Sequence, residues 1–143
     1  MIHSVPYVDP HYNATYVGYG GHTLFIHNSI VRLEGIEVRN MGQGGRMAKY
    51  PIHWHHRKDA PGQYLKRSSV HDSFHRTVVI HDTNYVLVED VVAYKCFGHS
   101  VYLEDGTEIG NQFFNNLIVT SLPIGTEGEQ NTYGYLHDDS MFS

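Results

Sequence analysis

Along most of the chain, apolar and polar residues alternate in short bursts, and helical spacing is hard to find. Four bursts align without gaps: Leu33–Val38 (LEGIEV), Leu65–Val70 (LKRSSV), Val88–Ala93 (VEDVVA) and Phe114–Val119 (FNNLIV). Each opens on an apolar residue and often has Gly, Asp or Asn at the third place. Each then closes as a short strand on a small apolar residue. Their last residues, 38, 70, 93 and 119, lie 32, 23 and 26 apart. A second set interleaves with the first: Thr23–His27 (TLFIH), Pro51–His55 (PIHWH), Thr77–His81 (TVVIH) and Ser100–Glu104 (SVYLE). Its ends, 27, 55, 81 and 104, are 28, 26 and 23 apart. Two strand types recurring together at such intervals describe a solenoid, one coil per repeat. The expected fold is all-β: a right-handed parallel β-helix of about four rungs. A sandwich of hairpins is the alternative, but Asp105-Gly106 is its lone turn signal.

Side chains alternate across a strand, so the repeat also assigns faces. In the second set Leu24/Ile26, Ile52/Trp54, Val78/Ile80 and Val101/Leu103 form the apolar parity and are expected to fill the core. The other parity then stacks outward in two columns. One holds Phe25, His53, Val79 and Tyr102; the other holds His27, His55, His81 and Glu104. Residues 1–143 are read as one domain: a lead-in over 1–20, rungs over 21–121 and an irregular tail over 122–143. Open strand edges at the two ends of such a coil invite pairing with another chain, so a homo-oligomer is expected.

Composition sharpens this picture. Fourteen Gly and eleven Tyr suit strands joined by tight turns. A net charge of −5 gives no basic footprint, so no nucleic-acid partner is expected. No apolar run approaches the roughly 18 to 20 residues of a membrane helix, and no signal peptide is visible at the N-terminus. Asn13 opens an NAT glycosylation triplet, and Cys96 is the single cysteine, expected to be buried. Twelve histidines against ten Lys and Arg is the unusual balance.

The columns bring those histidines together. His53, His55, His81 and Glu104, with His27 as a further member, form a candidate site for a divalent transition metal. Zinc is the first expectation, copper or iron the alternatives. Asp82, Asp105 and Glu108 are candidate acceptors that would orient the imidazoles. An unmetallated ladder of polar side chains on a solvated face is the competing reading. His71, Asp72, His75 and His99 fall in turns, where His71 or His99 could serve as a general base. Glu104 and Asp105 are the carboxylates considered for glycoside hydrolysis, with Glu104 paired to Glu108 or Asp82 across the bond. Phe25, Tyr94 and Tyr102 have outward parity and could stack on sugar rings. A multicopper oxidase is disfavoured, because its several HxH strings are here reduced to the single HWH.

The strings GGHTLFIHNSIVRLEGIEVRNMGQ, YPIHWHH, HDSF and LEDGTEIGN resemble the β-helix region of a family of large extracellular proteins. That family includes hyaluronan-binding proteins, transmembrane hyaluronidases and fibrocystin-like proteins, and the resemblance spans roughly residues 20 to 121. It implies a right-handed parallel β-helix, an extracellular location and, for some members, binding or depolymerisation of a polysaccharide. The leading functional expectation is therefore a polysaccharide-active or polysaccharide-binding module with a histidine-rich metal site, possessing metal-assisted hydrolysis if it is an enzyme. A metal-dependent oxidoreductase on the same scaffold is the second reading, and a non-catalytic binding or structural module the third.

Overall fold

The computed structural model describes residues 1–3, 7–8 and 18–122. Most of the expected lead-in, the Asn13 triplet and all but the first residue of the expected tail fall outside them. The described residues form twelve strands and no helix. They are β1 (Ile2–His3), β2 (Tyr7–Val8), β3 (Gly18–Tyr19), β4 (Arg32–Glu34), β5 (Glu37–Arg39), β6 (Ile52–Asp59), β7 (Tyr64–Ser73), β8 (Val78–Asn84), β9 (Leu87–Phe97), β10 (Val101–Leu103), β11 (Gln112–Phe114) and β12 (Leu117–Leu122). Among the described strand pairs only the short β2–β3 pair is antiparallel, extended by a Tyr19↔Gln43 bridge. The larger sheet runs β1-β5-β7-β9-β11, with β4 on β7 and β12 on β9; the smaller runs β6-β8-β10. From β4 to β12 the chain alternates between the two sheets, and each strand pairs in parallel with one from the next coil. That is a parallel β-helix.

The coil turns its corners with single residues in the left-handed backbone region. Gly35, Arg67, Asp90 and Asn115 stand in register with φ of 64°, 45°, 54° and 51°. This is why Gly and Asp stand at the third place of the first and third bursts, since Gly, Asn and Asp tolerate positive φ best. In the last burst the corner falls on Asn115, one place before the aligned Asn116. A second corner stacks Asn40, Asp72, Lys95 and Thr120 in the same way. Where the corners interrupt the ladder, side chains take over. The Val31, Ile36, Val86 and Val91 N–H groups donate to Gln63, Ser68, Asn111 and Asn116 respectively. Buried backbone donors are thereby satisfied without a neighbouring carbonyl.

Between the sheets lies one apolar core that includes Val38, Ile52, Trp54, Leu65, Val70, Val78, Ile80 and Val88. The alternation places these residues as expected, and Trp54 also donates its indole N–H to Gln63 at 3.0 Å. Register in the middle coils agrees too: Val38↔Val70↔Ala93, and Trp54↔Ile80↔Leu103. At both ends it differs by one residue. Phe25, not Ile26, bridges Trp54 and packs on it edge-to-face with ring centroids 5.3 Å apart. Leu24 and Ile26, expected in the core, are exposed, and Phe25, expected outward, packs against the core. Likewise Phe113, not Phe114, pairs with Val88. A one-residue shift moves every side chain to the other face, so the first and last strands present opposite residues from those expected.

Candidate metal centre

Strands β6 and β8 align His55 with His81, and His53 with Val79. Glu104 follows β10 and donates its N–H to the Ile80 carbonyl, which carries it alongside His81. One ring nitrogen each from His53, His55 and His81 lies within 4.8 Å of the others. The His55 and His81 Nδ1 atoms are 3.1 Å apart, and His81 Nδ1 is 3.4 Å from Glu104 Oε2. His53 Nε2 is 3.8 Å from the same carboxylate oxygen. Ligands at about 2.0 Å from a tetrahedral ion stand about 3.3 Å apart, a spacing close to the His55–His81 and His81–Glu104 separations.

His53 is expected to face solvent but is fully buried. It points out of the coil, yet the segment preceding β6 covers it. Its Nδ1 lies 3.3 Å from the Ala48 carbonyl, and the Tyr50 ring packs edge-on at 4.8 Å. Burial, then repulsion from His55, pushes its pKa down to about 3, so the ring is neutral at physiological pH. With Nδ1–H donating to Ala48, Nε2 carries the lone pair. That lone pair and Glu104 Oε2 are both buried without a hydrogen-bond partner, acceptor facing acceptor. A burial of this kind costs about 1–3 kcal/mol per group unless a proton or cation sits between.

The surroundings orient the remaining donors. Asp105 Oδ1 lies 3.3 Å from His81 Nε2, and His81 Nδ1 faces Glu104 Oε2 at 3.4 Å. Tyr50 donates its hydroxyl to Glu104 Oε1 at 3.3 Å, and Arg76 donates to the Tyr50 oxygen at 3.4 Å. Burial and the nearby Glu104 carboxylate push the Tyr50 pKa up to about 12, so it stays a donor. Burial lowers the His55 pKa as well, favouring the neutral imidazole that ligates metals. Neither Tyr50 nor Arg76 was marked by the sequence pattern as part of a site. The signal for Tyr50 was its inward parity with Ile52 and Trp54, because a buried phenol needs an acceptor.

Other expected site residues lie elsewhere. His27 sits exposed in a turn beside Asn28, displaced by the end-coil shift, and is not among the clustered donors. His71 is on β7 in the larger sheet, bracketed by Asp72 at 2.8 Å and Glu37 at 2.9 Å. His99 is buried and stacks on Tyr102 with centroids 5.0 Å apart. The Arg76 guanidinium covers the Tyr102 ring at 3.9 Å, so that ring is packed rather than bare. Tyr94 is exposed on β9, a strand of the larger sheet. Asp82 pairs with His56 at 2.8 Å and with Lys58, not with the clustered histidines. Glu108 Oε1 accepts from the Asp82 and Asp105 N–H groups, which makes it a turn brace. Cys96 is buried as expected, and burial raises its thiol pKa to about 12.

A parallel β-helix bearing a histidine row across adjacent coils defines the class of protein. Residues 18–140 match the family model described as CEMIP beta-helix, and the chain belongs to that family. The cell surface hyaluronidase of Danio rerio is 37% identical over 117 residues, covering 76% of this chain and 8% of that protein. Fibrocystin-L of Mus musculus is 40% identical over 89 residues, covering 62% of this chain and 2% of that protein. The human cell migration-inducing and hyaluronan-binding protein is 38% identical over 103 residues, covering 66% and 8%. The chain thus spans less than a tenth of the length of these relatives.

Proposed function

We propose that this chain is a glycan-handling module of an extracellular or cell-surface protein, coiled right-handed over about four rungs, with a transition-metal site. His53, His55, His81 and Glu104 would hold the ion, zinc in the first place. The observation that carries the metal reading is the buried His53 Nε2 lone pair facing Glu104 Oε2 at 3.8 Å. A cation between two such acceptors replaces mutual repulsion with two bonds. The glycan reading leans on relatives described as hyaluronidases or as hyaluronan-binding.

A transition metal held there would supply Lewis-acid chemistry, polarising a substrate oxygen or bringing the pKa of a water bound beyond the protein groups to about 7. The protein's own contribution is positional. Ala48 and Asp105 hold the tautomers of His53 and His81, while Tyr50, itself fixed by Arg76, holds Glu104. Asp105, beside His81, is the nearby carboxylate outside the donor set that could accept a proton. Among the described residues no helix is long and apolar enough to cross a membrane. The exposed Phe114, Leu117 and Ile118 at the β11–β12 end are where a second copy would pair.

Elemental analysis of untagged protein tests the metal. About one ion per chain is expected after supplementation, lost in His55→Ala and in Glu104→Ala. Less than about 0.1 ion per chain in the unaltered protein, unchanged in His55→Ala, would overturn the site.

A further inference from the structure

The first residues of the larger sheet's strands form a column that the sequence pattern did not single out. Arg32 pairs with Tyr64, Tyr64 with Leu87, and Leu87 with Gln112. Three strand spacings of about 4.8 Å make the column roughly 14 Å long, parallel to the coil axis. These residues, with Gly62, Lys66 and Tyr85, line an open groove of about 350 Å³.

Its chemistry is specific. Arg32 is anchored by its Nε–H, which donates to the Gly62 carbonyl at 3.2 Å, and it forms no ion pair with a described residue. The outer end of its guanidinium is therefore oriented and available for a carboxylate. Lys66 lies over the Tyr64 ring at 5.1 Å and is neutralised by Glu89 at 2.9 Å, which leaves Arg32 as the uncompensated charge. Tyr85 stands 44% exposed, and its ring is braced against Gly110, where a Cβ would fall 2.4 Å from it. A fixed, half-exposed aromatic face beside an oriented cation suits an apolar sugar face next to a carboxylate. In a chain of net charge −5, such a spot stands out as a local exception.

We propose that this groove is a binding subsite for an acidic sugar chain lying along the coil axis. Arg32 takes a uronate carboxylate, and Tyr85 takes a ring face. The assignment rests on the glycan reading above but not on the metal.

Fluorescence anisotropy with a labelled hyaluronan oligosaccharide, in chelator, tests it. Arg32→Ala and Tyr85→Ala are each expected to weaken binding about tenfold. Tyr85→Phe should retain most affinity, and Lys95→Ala should stay within about twofold. Tyr85→Asn, compatible with the positive φ of this position, replaces any alanine variant that fails to fold. Unchanged affinity in the Arg32 and Tyr85 variants would overturn the groove and leave the glycan reading standing. Equal competition by polyglutamate would reduce it to charge alone and overturn the sugar assignment. An unaltered protein that binds neither hyaluronan nor another acidic glycan overturns both.

Discussion

The middle coils and the end coils obey the same repeat but define it to different degrees. In the middle, Trp54, Ile80 and Val70 are enclosed by neighbours in both directions along the axis, and all are fully buried. At the ends, Phe25 has Trp54 on one side only, and Phe113, Leu117 and Ile118 remain exposed. Register is enforced by burial on both sides. Where burial is one-sided, a shift by one residue is cheap and local alternatives decide.

Truncation should separate the two regions most strongly. Trp54→Ala is expected to cost about 3–5 kcal/mol, and Ile118→Ala under about 1 kcal/mol, in chemical denaturation. Equal losses would show that the ends are packed as tightly as the middle. Glycine corners give a medium effect with the same logic. Gly110→Ala meets the Tyr85 ring as well as a φ of +68° and should cost about 1–3 kcal/mol. Gly35→Ala has the same backbone penalty but open space around it, so about 1 kcal/mol is expected.

Near neutral pH the smallest effects are those of histidine titration, and they run in opposite directions. Burial, with Arg76 adding to it, pushes the His75 pKa down to about 3. The unfolded chain therefore binds the extra proton between about pH 6.5 and 3, and stability falls as pH drops through that window. Burial alone would lower the His71 pKa as well, but hydrogen bonds from Asp72 and Glu37 raise it overall. That contribution is complete below about pH 6.5 and is lost as pH rises through the raised value. Melting curves of His75→Gln should lose acid sensitivity, and those of His71→Gln should flatten slightly above neutrality. The reverse pattern would contradict both environments.

What the sequence made legible follows the same division. Period-two alternation was sufficient for Ile52 and Trp54, flanked by His53 and His55, and parallel register carries that face to Val78 and Ile80. Val79, expected outward, is fully buried like its partner His53. In Leu24-Phe25-Ile26 and Phe113-Phe114, adjacent apolar residues satisfy either register, and only tertiary packing chose between them. The site was half legible. The coil spacing brought His55, His81 and Glu104 into one row, but alternation cannot tell a solvated outer face from a covered one. His53 lies beneath Ala48 and Tyr50, and the bracing by Tyr50 and Arg76 depends on that cover. The Arg32 groove was illegible because its members come from four strands and two turns with no shared motif.

The stacking of the corners gives the chain a modular inheritance. Because each coil touches only its immediate neighbours, an extra coil inserted before Ala48 or after Glu108 would lengthen the solenoid without disturbing the histidine row. The same insertion between β6 and β8 would move His55 one strand spacing away from His81 and dissolve the row, with every side chain unaltered. Segment length between corners is therefore as much a determinant of this site as the identity of its residues.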